Sequence, residues 1–198
     1  MMFLFLLVVL AATAAAIWFQ GLWNAAVTLV NLILAMAIAT CFYEPICTQL
    51  ENASGSIKTY SYLLDFLVLW LLFAISFGIL RAITDALSKE AVSFDFPVEI
   101  AGRSVLAIAC GWIMVCFAAF SLQMAPLNGV NPLGAWSTPA AKTFGPFSPD
   151  RMWIGFMHSR STPSAFGGPQ FDPKAEFLIK YHERREKYAA PGTSMTFQ

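Results

Sequence analysis

The sequence is short of charge. Acidic and basic residues number 12 each among 198, a charged share of 12% against about 25% in ordinary soluble domains. The balance is neutral and no basic stripe appears, so nothing points to a polyanionic partner, and nucleic acid is excluded as an expected ligand. Histidine is almost absent: His158 and His182 both fall late in the chain. The four cysteines, Cys41, Cys47, Cys110 and Cys116, form no CxxC pair and have no histidine near them in sequence, so they read as small apolar residues rather than metal ligands. No Gly-rich phosphate loop occurs. Ser76 lies in an apolar run with no histidine to activate it. No catalytic residue, metal ligand or cofactor is therefore expected, and the chain does not read as an enzyme.

What the sequence has instead is apolar length; 58% of its residues are hydrophobic. The central stretch, Tyr62 to Leu80, holds one formal charge, Asp65. At about 1.5 Å per residue, a helix of that length matches the roughly 30 Å hydrocarbon layer of a bilayer. Similar stretches recur, and the expected fold is an all-α membrane protein with about four transmembrane helices. Residues 1–125 form the bundle, with spans near 2–19, 22–42, 62–82 and 102–125. Residues 126–198 form a Pro/Gly-rich tail with a short helix near 149–158 and another near 173–190.

The first apolar run has two readings. Ala12-Thr13-Ala14 and Ala14-Ala15-Ala16 fit signal-peptide cleavage, yet no Lys or Arg precedes the run, and a retained helix is the preferred reading. A single helix from Met1 to Phe42 would be roughly 60 Å long, so the chain is expected to reverse at Gly21, with Trp18 and Trp23 as interfacial anchors. Asn24, Thr28 and Asn31 recur at helical spacing and mark a polar face suited to hydrogen-bonding a neighbouring helix. Glu44-Pro45 is expected to end the second helix, because the residue before proline disfavours helical geometry. A polar loop to Ser61 would follow, carrying the weak glycosylation sequon Asn52-Ala53-Ser54.

Asp65 is the candidate functional residue, since intramembrane carboxylates are costly. The plainer reading puts it in the headgroup zone, where it favours the positive end of its helix. Arg81 and Arg103 are placed to snorkel to the interface or pair with headgroups. The transport alternative sets Asp65 against the Asn24/Thr28/Asn31 face or Arg103. Leu87 and Val92, in the connector from Ile83 to Ala101, would rest on the membrane surface. Gly102, Ala109, Gly111, Ala118 and Ala119 let helices approach closely. In the tail, Ser148 is a candidate cap, Pro149 suits a first helical position, and Trp153, Phe156 and Met157 share a face. A last helix from Asp172-Pro173 to Ala190 carries an apolar edge (Phe177, Leu178, Tyr181) among charges read as a solvated face. Arg81, Lys89 and Arg103 flank the third-to-fourth connector, against Lys58 and Lys142 on the other side. The positive-inside rule thus puts the connector in the cytoplasm and the tail outside it.

The order of segments from Gly21 to Leu127 resembles the colicin V production protein family of small multi-span bacterial inner-membrane proteins. Phe19-Gln20-Gly21-Leu22 stands where that family has its turn glycine. Ala39-Thr40-Cys41-Phe42-Tyr43-Glu44-Pro45 is similar to its second-span ending, and Glu99-Ile100-Ala101-Gly102, with Gly111 offset in register, to its Gly-rich final span. Gln20 and Glu99 stand where the family often has basic residues, and the tail is an extension beyond the shared core. The resemblance implies a process rather than a chemistry: toxin or peptide production and export, and envelope homeostasis. The expected partners are the lipid bilayer and other membrane proteins, or a second copy of the chain. A small channel or transporter component centred on Asp65 is the alternative.

Overall fold

The computed structural model describes residues 2–53, 61–88, 95–125, 148–161, 171–172 and 174–189, with side chains excepted at 2, 61, 62 and 185–189. The expectations for Ser54, Lys58, Lys89, Val92, Lys142, Ala190 and the stretch 126–147 lie outside those residues. Among the described residues all regular structure is helical: α1 (Met2–Trp18), α2 (Leu22–Ala53), α3 (Ser61–Leu87), α4 (Phe96–Met124), α5 (Pro149–Arg160) and α6 (Phe177–Ala189).

α2, α3 and α4 are long and apolar enough to cross a membrane, whereas α1 is a shorter apolar helix. Its 17 residues reach about 25 Å. Apolar side chains remain uncovered along the outer surfaces, above all on α3, where Leu67, Leu71, Ile75, Ile79 and Ile83 are exposed. Such a surface would be a liability in water and is the ordinary coat of a bilayer-facing helix.

The chain reverses at Gly21, whose φ of +82° lies in the left-handed region that a Cβ disfavours. α1 then runs back along α4 rather than along α2. At Gly111 an added Cβ would sit 3.0 Å from the Leu10 carbonyl oxygen, and at Gly102 it would sit 2.6 Å from Leu22 Cδ1. Both glycines thus mark close helix approaches. Glu99 Oε1 accepts a 2.7 Å bond from the Leu22 backbone N–H, supplying from α4 a cap for an otherwise orphaned donor of α2. Gly21→Val would strain the backbone and crowd Glu99, whose Oε1 is 3.3 Å from a Cβ at that position. The expected cost is about 2 kcal/mol, measured as lost thermal stability of the detergent-solubilised protein.

Four helix boundaries differ from expectation by several residues. α2 does not stop at Glu44-Pro45 but continues through Pro45 to Ala53. Proline removes one helical hydrogen bond, but Cys47 is buried beyond it and Ile46 and Leu50 pack on the core, so tertiary packing holds the extra turns. α3 runs on to Leu87, and α4 begins at Phe96, with Pro97 in the first turn, where a missing N–H costs nothing. The described parts of the connector expected from Ile83 to Ala101 are therefore mostly helix. α6 begins at Phe177, not at Asp172; Asp172 instead accepts bonds from the N–H groups of Glu176 and Phe177 at 2.8 and 3.2 Å.

The core centres on Phe117 of α4, fully buried. Its ring lies 5.6 Å from Trp70, 5.2 Å from Phe73, 6.2 Å from Phe120 and 5.7 Å from Trp153, within the range of favourable aromatic pairing. α5 supplies Trp153, which also donates from Nε1 to Thr40 at 3.2 Å. The buried face of α5 is Pro149, Asp150, Trp153 and Met157; Phe156, expected to share it, is exposed. Ser148 occupies the N-cap without a side-chain cap bond. The described tail helices thus pack on the bundle, at the end opposite Gly21.

Candidate functional site

Asp65 enters one turn into α3, with 6% of its surface exposed. Its Oδ2 accepts two hydrogen bonds from α6, one from Tyr181 Oη at 2.8 Å and one from Arg184 Nη1 at 2.7 Å. The sequence brings these groups together through α6: Phe177, Tyr181 and Arg184, at i, i+4 and i+7, lie on one face. Phe177 stacks on Phe120 at 4.9 Å, the Tyr181 ring is 4.7 Å from Phe177, and the Arg184 guanidinium is 5.2 Å from the Tyr181 ring. On the bundle side, Tyr43 and Cys47 of α2 complete the surround. At the margin, Lys180 pairs with Glu44 at 2.9 Å, both well exposed, and such a pair contributes little.

Asp65 is therefore engaged by α6 and is not opposed to Asn24, Thr28, Asn31 or Arg103. Those residues lie elsewhere. Asn31 donates to Thr84 Oγ1 at 2.8 Å, and Arg81 Nη1 donates to Thr28 Oγ1 at 2.7 Å. These bonds zip α2 to α3, as a polar helix face inside a bilayer is expected to do. Arg81 also pairs with Asp85 at 3.0 Å. Asn24 donates to the Gln20 carbonyl four residues earlier, at 3.2 Å. Arg103 lies 4.5 Å from the Trp18 ring centre, a cation–π contact between α4 and α1. Trp23, the other expected interfacial anchor, donates to Ser88 at 2.7 Å. Leu87 is exposed.

Two features went unforeseen. Arg184 belongs to a charge run read as solvated, and nothing local separates it from its neighbours except its place three residues after Tyr181. Asp150 is fully buried on α5 and accepts a 3.0 Å bond from Gln123 Nε2. Its only sequence signal is the Ser-Pro-Asp pattern of a helix start, which ordinarily implies an exposed first turn. Of the cysteines, Cys47, Cys110 and Cys116 are buried and Cys41 is exposed. Among the described residues no cluster of His, Cys, Asp and Glu could hold a metal ion.

Burial, first of all, pushes the Tyr181 phenol well above its ordinary value of 10.0, with the neighbouring Tyr43 and Asp65 adding to the effect. A group whose pKa is raised on folding contributes stability that is complete below its unfolded value and is lost as pH rises through the folded one. Docking of α6 is therefore expected to be insensitive to Tyr181 ionisation up to about pH 10 and to weaken above it. A difference titration of tyrosinate absorbance, wild type minus Tyr181→Phe, checks this; the substitution should remove a late step and leave the early ones.

No protein-family model matches the chain, and no curated protein or solved structure was found to be similar to it.

Proposed function

We propose that this chain is a non-enzymatic protein of the bacterial inner membrane that acts through contacts with other membrane proteins. In this reading α1 makes a fourth crossing, the α3–α4 connector is cytoplasmic and the tail lies outside. Its process is assistance to peptide or toxin export and envelope upkeep, as the segment order of the colicin V production family implies. One observation supports this above the others: the polar groups Thr28, Asn31 and Asp65 within the spans are engaged by a neighbouring helix or by the tail. Thr28 and Asn31 tie α2 to α3, and Asp65 holds α6. A carboxylate used as an anchor favours a scaffold over an ion path.

Crosslinking and co-purification from native membranes test the reading. Specific membrane-protein partners are expected, and a strictly monomeric protein with none would overturn it. Purified protein in liposomes is expected to conduct neither ions nor protons. Flux that disappears in Asp65→Asn would replace the scaffold with a channel or transporter. Reporter fusions at Gln198 and in the α3–α4 connector test the orientation, and a cytoplasmic tail would reverse it.

A further inference from the structure

The bundle of α1 to α4 has its own core around Phe117, Leu69 and Met36, built without α6. Among its described residues none supplies a counter-charge for Asp65; Arg81 and Arg103 are engaged elsewhere. Among the described residues the ion pair to this nearly buried carboxylate comes from α6, with the Tyr181 hydrogen bond beside it. A buried charge left without a partner is strongly unfavourable, so a segment that covers this surface must bring a cation to Asp65. The floor of that surface is Asp65, and around it lie Tyr43, Cys47 and Phe120.

α6 itself is joined in a way that suits departure. Asp172 and Ala175, just ahead of it, have φ of +46° and +55°, a conformation disfavoured for any residue with a Cβ. The chain before this bend is held to α5: Phe171 N–H donates to Ser161 Oγ at 2.8 Å, and His158 Nδ1 lies 3.2 and 3.1 Å from the carbonyl oxygens of Phe171 and Asp172. Beyond the bend, the catch is chiefly one face of one helix. The Arg184 side chain keeps 33% of its surface exposed, so the ion pair sits at the rim, where solvent or a competitor can reach it.

We infer that α6 is a separable latch over a carboxylate-floored groove. The groove accepts in its place an amphipathic helix from a partner protein that presents two aromatic side chains four residues apart and a guanidinium three residues further on. The charge of Asp65 and the pattern of α6 itself specify that occupant. This deepens the scaffold reading by naming the kind of partner segment, and rests on it for the partner only; the latch is a property of the chain alone.

The native cysteines report on it. Cys47 lies beside Asp65 beneath α6, while Cys110 and Cys116 lie in the bundle core. Maleimide labelling of the full-length protein, resolved residue by residue by mass spectrometry, reads the open population at each. In Arg184→Ala, Cys47 should label about tenfold faster or more, with Cys110 and Cys116 unchanged, and Arg184→Lys should retain most of the protection. A peptide of residues 177–189 added to the Arg184→Ala protein should return the protection of Cys47, and the same peptide carrying that substitution should not. The latch is overturned if Cys47 stays protected in both Arg184→Ala and Asp65→Asn, or if all three cysteines open together. The groove is overturned if the wild-type peptide gives no protection. Failure to recover partners from membranes would sink the scaffold reading and leave these rates untouched.

Discussion

Phe117→Ala is expected to cost about 3–5 kcal/mol, the largest loss from any single truncation in the bundle. The ring is fully buried and is shared by three elements: Trp70 and Phe73 of α3, Phe120 of its own helix and Trp153 of α5 all pack around it. Within a membrane the transfer of an apolar side chain between helices supplies little drive, because lipid is as apolar as the core. The dispersion contacts of a filled site then carry the association. A cavity at this position removes contacts from all these neighbours at once. Thermal unfolding in detergent should show a fall in midpoint of roughly 6–20 °C for a chain of this size. Phe117→Leu, which refills most of the volume, should fall well short of that. Equal losses from the two variants would mean that the aromatic geometry, rather than the filled space, holds the centre.

Gly111→Leu is expected to separate α1 from α4. A Cβ there already stands 3.0 Å from the Leu10 carbonyl oxygen and 3.6 Å from Ala14 Cβ. The close neighbour is backbone, which cannot rotate away. Gly111→Ala should cost about 1 kcal/mol and Gly111→Leu about 3 kcal/mol, as overpacking against a rigid neighbour does. Gly78 is the control. It sits on the exposed side of α3 and a Cβ there meets nothing within 4 Å, so Gly78→Leu should leave the melting midpoint unchanged. Comparable losses at the two positions would count against the α1–α4 approach, because helix propensity favours Leu over Gly at both and cannot produce them.

Much of this architecture is legible in the residue order. The apolar runs locate α2, α3 and α4 because nothing else tolerates such length, and the turn at Gly21 follows from the impossibility of a helix twice the bilayer's thickness. The Asn31–Thr84 and Thr28–Arg81 bonds realise the polar face that helical spacing had shown. Boundaries were less legible. Pro45 is a local stop signal, and it was overruled by the burial of Cys47 a half-turn later, which no local signal carries. The site was half legible: Asp65 stands out as a lone charge in an apolar stretch, but its partner lies far along the chain in a segment whose composition says only "charged helix". Arg103, a cation inside an apolar span, was one expected partner and instead stacks on Trp18 at the Gly21 end of the bundle.

The separation of Asp65 from Arg184 is 119 residues, and it has a consequence for how the protein is made. At about 5–20 residues per second of translation, the guanidinium is synthesised roughly 6–24 s after the carboxylate it will bind. The insertion machinery therefore receives α3 carrying an uncompensated acid, a burden of up to about 3 kcal/mol at mid-membrane and less near a helix end. The run from Phe66 to Leu80 must outweigh that burden unaided. Biogenesis is thus ordered: the membrane segments commit first, and the ionic closure of the site is its last covalent sequence to arrive.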